Sequence, residues 1–148
     1  MRSFAYFYAQ RDDAMPNFET IYVGQLRCQN THLASGTQIL TDAPVDNHGK
    51  GEAFSPTDLV CVALGTCIMT TIGIWAQNEA LPLEGTRLAI TKTMHLSPRK
   101  IAKIGITIHV ANKVLTEEQK ARMVHIAHAC PVAKSLHPEV EQDIVFEW

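Results

Sequence analysis

The 148-residue chain has no run of like charge, no Cys-x-x-Cys pair and no apolar leader. Each absence excludes something. Lys and Arg number 13 against 15 Asp and Glu, for a net charge of -2, so nucleic acid is not an expected partner. Four cysteines, Cys28, Cys61, Cys67 and Cys130, fall at irregular spacings, which speaks against a zinc ribbon and a thioredoxin-type motif. The N-terminus lacks the apolar core of a secretory signal, so a cytoplasmic, reducing location is expected, with free thiols in place of structural disulfides. There is no G-x-S-x-G, no phosphate loop and no dinucleotide fingerprint. Gly49-Lys50-Gly51-Glu52 is too short and follows no strand-to-helix turn. No cofactor is therefore expected.

What is present reads as one globular domain. Hydrophobic residues make up 46% and charged residues 19%, which argues against disorder. Residues 1–18 form an extension of uncertain status, with Met15-Pro16 a candidate true start, and the domain proper covers 19–148. Thr20–Cys28, rich in Ile, Tyr, Val and Leu, suits a strand. Gln29–His32 reads as a connection and Thr37–Thr41 as a second short strand. Asp46–Phe54, with two Gly, three charged side chains and His48, is a loop.

The stretch Ser55–Ala76 organises the rest. Ser55 as N-cap, Pro56 at the first helical position and Asp58 at the third make a capping-box-like start. From Leu59 to Ala76 there is no charge. That is the lower length limit for a membrane span. Gly65, Gly73, three threonines and the lack of flanking Lys or Arg favour a buried helix instead. A helix apolar all round must be covered on every side.

Thr86–Leu96 and the alternating Ile104, Ile106, Ile108 and Val110 form a hairpin around Ser97-Pro98-Arg99-Lys100. Thr116–Gln119 is a capping box, with Leu115 as a staple. Its helix carries Met123, Ile126, Ala127 and Cys130 along one stripe. Pro131 starts a fresh short helix through Leu136, with Cys130 as its N-cap. Val140, Gln142, Ile144, Phe146 and Trp148 share one face of a last strand. The order of elements is α+β with antiparallel sheet. One sheet covers only one side of the long helix. A second copy of the same helix is the simplest cover for the other, giving a two-fold dimer.

The candidate chemistry is thiol chemistry. Cys67 is either small core filling or a nucleophile, and Cys61 points to nearly the opposite face of the same helix. Cys130 at a helix N-terminus faces free N–H groups, which favour thiolate and lower its pKa. Two thiols together support peroxide reduction: one becomes a sulfenic acid, and the other condenses with it to a disulfide. Distance in sequence is no obstacle if the fold brings the Cα atoms within about 4.4–6.8 Å. His125-x-x-His128-x-Cys130 imitates ligand spacing but lacks a fourth ligand, so solvated helix histidines are expected and no metal site.

Phe54-Ser55-Pro56-Thr57-Asp58-Leu59, then Ala63-Leu64-Gly65-Thr66-Cys67, then His128-Ala129-Cys130-Pro131-Val132-Ala133-Lys134-Ser135-Leu136, resemble the OsmC/Ohr family of thiol-dependent hydroperoxide reductases. The resemblance runs from about Ile21 to Phe146. It implies OsmC-like antiparallel sheets with a long central helix in an intertwined homodimer, with active sites at the dimer interface. It implies Cys67 as peroxidatic and Cys130 as resolving cysteine, organic hydroperoxides as substrates, and a dithiol, often a lipoylated protein, as reductant. The chain departs from the family pattern around these thiols. Thr57 stands where the family has a Glu ten residues before the cysteine, and Asp46–Phe54 lacks the family's Arg.

Two functions fit. In the first, the protein is a hydroperoxide reductase in which Lys50 or His48, held by Glu52, replaces the Arg. Burial alone raises a thiol's pKa, so thiolate at Cys67 calls for such a cation. In the second, it is a non-peroxidatic dimer that takes an apolar ligand or another thiol-reactive electrophile. Neither needs a membrane.

Overall fold

The computed structural model describes residues 16–148, so the readings on 1–14 and on Met15 lie outside the described residues. The chain forms two compact units that divide between Pro56 and Thr57.

In the N-terminal unit, β1 (Phe18–Gly24), β2 (Arg27–His32) and β3 (Gln38–Asp42) make an antiparallel sheet in that order. Tyr22 faces Cys28, and Gln29 faces Leu40. The single strand expected over Thr20–Cys28 is in fact two strands, and the expected connection Gln29–His32 is most of the second. Gly24, Gln25 and Leu26 all have positive φ and reverse the chain. The Leu26 N–H donates to the Tyr22 hydroxyl at 3.2 Å. Gln and Leu are poor left-handed residues, so the turn has no composition signal. Phe18, Ile21, Tyr22, Val23, Ile39 and Leu40 are exposed on this sheet.

In the C-terminal unit, α1 (Pro56–Asn78) starts one residue after Ser55, and only Pro56 of it precedes the division. β4 (Arg87–Leu96) and β5 (Arg99–His109) form the hairpin. α2 (Glu117–Ala127) and α3 (Pro131–Ser135) follow, then β6 (Glu141–Glu147). The sheet order is β4-β5-β6, with β6 parallel to β5 and Ile144 beside Ile106. This sheet is therefore mixed. Its connection through two helices is the crossover that a parallel neighbour requires. The capping box of α2 forms as expected. Gln119 N–H donates to Thr116 Oγ1 at 3.2 Å, and Thr116 N–H donates to Gln119 Oε1 at 2.9 Å.

The core lies between helices and sheet. Leu64, Ile68 and Ile72 of α1, Ile104, Ile106 and Ile108 of β5, and Met123 and Ala127 of α2 are all buried. Burying each of the larger aliphatic chains contributes about 1.5–3 kcal/mol. On α1 the buried residues, Cys61, Leu64, Gly65, Ile68, Ile72 and Ala76, form one stripe at helical spacing. By length and composition α1 could cross a membrane; here one face of it enters the core of its own unit. The opposite face, with Ala63, Thr66, Thr70 and Ile74, is exposed in the single chain. Thr66 and Thr70 turn their hydroxyls back to the helix, donating to Val62 O at 2.9 Å and Thr66 O at 2.8 Å.

Gly65 sets how closely α1 approaches the sheet. A Cβ there would stand 2.6 Å from Ile90 Cδ1 and 3.3 Å from Leu88 Cδ2. At Gly73 a Cβ would meet nothing within 4 Å. Gly65→Ala is expected to lower Tm, and adding Ile90→Val, which removes the offending methyl, should recover part of the loss. Thermal melts of the two variants check this; equal Tm values for single and double variants would show that the helix approach is not set by Ile90.

Candidate functional site

Cys67 lies on the fourth turn of α1, half-buried against the core. Cys130 is fully buried at the N-cap of α3, with Pro131 at the first helical position. Its backbone is extended, φ -66 and ψ 151, and its Sγ accepts the Ala133 N–H at 3.4 Å. β6 fastens α3 in place, since Gln142 Nε2 donates to Ala133 O at 3.0 Å. The fold brings the two thiols into one neighbourhood: Cys67 packs against the core cluster that contains Cys130 and is one of the groups that act on the Cys130 thiol. All four cysteines are free thiols.

The expected lowering of the Cys130 pKa does not hold. Burial is the largest influence and pushes the thiol up, and the Cys67 contact pushes it further. The N–H groups of Ala133 and Val132 pull the other way and lose. A five-residue helix supplies little field, while full burial removes the solvent that a thiolate needs. Cys61, in the core stripe, is also raised, first by burial; the charge of Lys92 opposes this and that of Asp58 adds to it.

Thr57 stands in the first turn of α1, where its Oγ1 accepts from Lys92 Nζ at 2.9 Å. The same ammonium donates to Asp58 Oδ1 at 2.5 Å. Lys92 belongs to β4, opposite Ile104. The sequence shows it only as a break in an apolar face. A single Lys among inward positions of a strand is the signal that could have found it. Thr57 also lines a cavity of about 470 Å³ with Ile101, Val140, His137 and the Lys100–Glu139 ion pair. Lys100, then His137, hold the Glu139 carboxyl below its usual range.

His48, Lys50 and Glu52 belong to the N-terminal unit. His48 and Lys50 are exposed, and His48 has a left-handed backbone at φ 63. Glu52 is not held by either. Its Oε2 accepts from Arg27 Nη2 at 2.7 Å. Arg27 is shared with Asp42, through Nε to Oδ1 at 2.6 Å and Nη2 to Oδ2 at 2.9 Å. The Glu52 N–H closes the group by donating to Asp42 Oδ2 at 2.9 Å. This planar fork is what Arg offers and Lys does not. The cation that Glu52 meets is therefore Arg27 of β2, within the same unit, and not His48 or Lys50 of the Asp46–Phe54 loop. Among the described residues no group of three or more His, Cys, Asp or Glu is placed to hold a metal. His125 and His128 are exposed on and just after α2.

The profile of the OsmC-like protein family matches residues 49–145. Among solved structures, one from Psychrobacter arcticus 273-4, provisionally named an osmotic stress induced and detoxification response protein, is 40% identical, with a TM-score of 0.87. The match covers 90% of this chain and 97% of that one. The organic hydroperoxide resistance protein OsmC from Legionella pneumophila is 16% identical, with a TM-score of 0.70 over 91% of this chain and 99% of that one. An organic hydroperoxide resistance protein from Elizabethkingia anophelis is 10% identical, with a TM-score of 0.68 over 91% and 98%. The last two likenesses carry the fold alone. Among curated proteins, none matches the chain.

The Asp42 group makes a pH prediction. Arg27 holds the Asp42 carboxyl below its ordinary value, against the opposing effect of burial. Its contribution to stability is therefore present above the unfolded value of about 3.9 and is lost as pH falls through the lower folded value. Asp42→Asn should lower Tm at pH 7 and reduce the further loss between pH 5 and pH 3. Parallel losses in parent and variant would show that acid sensitivity arises elsewhere.

Proposed function

Because the chain belongs to the OsmC-like protein family, we propose that it reduces organic hydroperoxides with its own thiols, in defence against oxidative stress. One observation supports this reading: Cys67 and Cys130, from distant parts of the chain, meet at the same core cluster, near enough for Cys67 to act on the Cys130 thiol. The Cys67 thiolate attacks the outer oxygen of the hydroperoxide. The O–O bond breaks, the alkoxide leaves with a proton as alcohol, and Cys67 becomes a sulfenic acid. Cys130, deprotonated, attacks that sulfur and displaces its oxygen, which leaves as water with the proton given up by Cys130. The product is a Cys67–Cys130 disulfide. A dithiol reductant, such as a lipoylated protein, returns two electrons and two protons by thiol exchange. No cofactor is needed.

Cys67 packs against the apolar core, which favours organic over hydrogen peroxide. The raised pKa of Cys130 suits a resolving role, since the group stays a thiol until a sulfenic acid appears beside it. We take the working form to be an intertwined two-fold homodimer. The exposed Ala63–Thr66–Thr70 face of α1 is narrow enough for close helix packing, and the exposed apolar residues of the N-terminal sheet need cover. Four free thiols suit the reducing cytoplasm.

Cumene hydroperoxide consumption with dihydrolipoamide tests the function. Cys67→Ser should abolish turnover; a parent no faster than this variant overturns the proposal. Cys130→Ser should complete one round and accumulate sulfenic or sulfinic acid at Cys67, detectable by mass spectrometry. Disulfide closure in the parent should quicken as pH rises through about 7–9, because the Cys130 thiolate becomes more abundant toward and above its ordinary value of about 8.5.

A further inference from the structure

β4 engages α1 at two places. Leu88 and Ile90 meet it at Gly65, where the helix is close enough to exclude a Cβ. Lys92, two residues further along the strand, reaches Thr57 and Asp58 in the first turn. The Gly65 contact fixes distance. The apolar stripe through Cys61, Leu64, Ile68 and Ile72 sets which face of the helix meets the core, but through contacts that have no direction of their own. The Lys92 contact grips. Its ammonium is held by a hydroxyl and a carboxylate on neighbouring residues, and its side chain is only 20% exposed. Charge-assisted hydrogen bonds of this kind are short and directional.

We propose that Lys92 is a positioning residue for the Cys67–Cys130 pair, fixing the roll of α1 through Thr57 and Asp58 and thereby the direction in which Cys67 points. A helix with side chains has a radius of about 5–6 Å, so a roll of roughly 10° moves an outer atom by about 1 Å. Misplacement of about 1 Å is enough to slow a reaction between held groups by one or two orders of magnitude. Asp58 is paired by the same ammonium, so its negative charge is offset beside the cysteine-bearing helix. In this chain a neutral hydroxyl and the next residue's carboxylate together receive a lysine from the sheet.

The role rests on the thiol pairing of the proposed function, and its test does not use a hydroperoxide. Diamide oxidises two thiols to a disulfide and takes up their two electrons and two protons to become a hydrazine. The rate of Cys67–Cys130 closure with diamide, mapped by peptide mass spectrometry, is compared in the parent, K92M, K92R and D58N. K92M should close about tenfold more slowly. K92R, which keeps donors for both partners, should recover most of the rate. D58N should fall between parent and K92M, because the Thr57 bond survives. Alkylation of buried Cys61 by iodoacetamide should stay slow in K92M, showing that α1 remains docked and has only turned; fast alkylation would mean plain loosening and overturn the inference. Closure of K92M at the parent rate, or of K92R no faster than K92M, overturns it as well. A parent that closes with diamide but does not consume cumene hydroperoxide overturns the peroxidase reading and not this one. A parent that fails to close overturns both.

Discussion

The close seating of α1 on β4 is the constraint from which the rest of the C-terminal unit follows. Gly65 allows it, and Leu88 and Ile90 fill the space that a side chain would have taken. With the helix that near the sheet, Leu64, Ile68 and Ile72 reach the β5 isoleucines and form one continuous core. Helix α2 then completes the core with Met123 and Ala127, and the chain turns at Cys130 beside Cys67. A wider spacing would leave voids along the whole stripe, because protein interiors lose their packing contacts over gaps smaller than a water molecule.

At Cys130 two general effects oppose each other. A helix N-terminus stabilises a thiolate, and burial destabilises it. Here burial prevails, because α3 is a single short turn and the sulfur has no contact with solvent. At Arg27 the balance goes the other way. Asp42 is as buried as any core residue, yet a planar guanidinium and a backbone N–H both point at it, and its carboxyl stays acidic. The difference lies in the number and charge of the donors, not in depth.

Much of this was legible in the sequence, for identifiable reasons. The α1 start, the capping box at Thr116, the Cys130-Pro131 helix start and the alternation from Ile104 to Val110 are local signals, and each lies where its chemistry placed it. The β1–β2 turn was not legible, since Gln25 and Leu26 adopt positive φ without a residue type that announces it. The parallel pairing of β6 was not legible either: an alternating strand reads the same in both directions. The two cysteines were legible, and the ion pairs of each unit were not. Arg27 and Lys92 each act on residues far along the chain, Asp42 and Glu52 for one, Thr57 and Asp58 for the other. Pairings over such separations leave no periodicity to detect.

The place of β6 has a consequence for the newly made chain. It follows both helices in the chain, and it must insert beside β5 in parallel, after the two helices have been laid across. Gln142 on β6 also secures Ala133, and so the short helix that Cys130 begins. A nascent chain therefore carries Cys67 long before it has a fixed partner for it. The two cysteines are brought together only after β6 has emerged and its slow, long-range strand pairing is complete. Loss of β6 would therefore unfasten the helix that Cys130 begins without touching either cysteine.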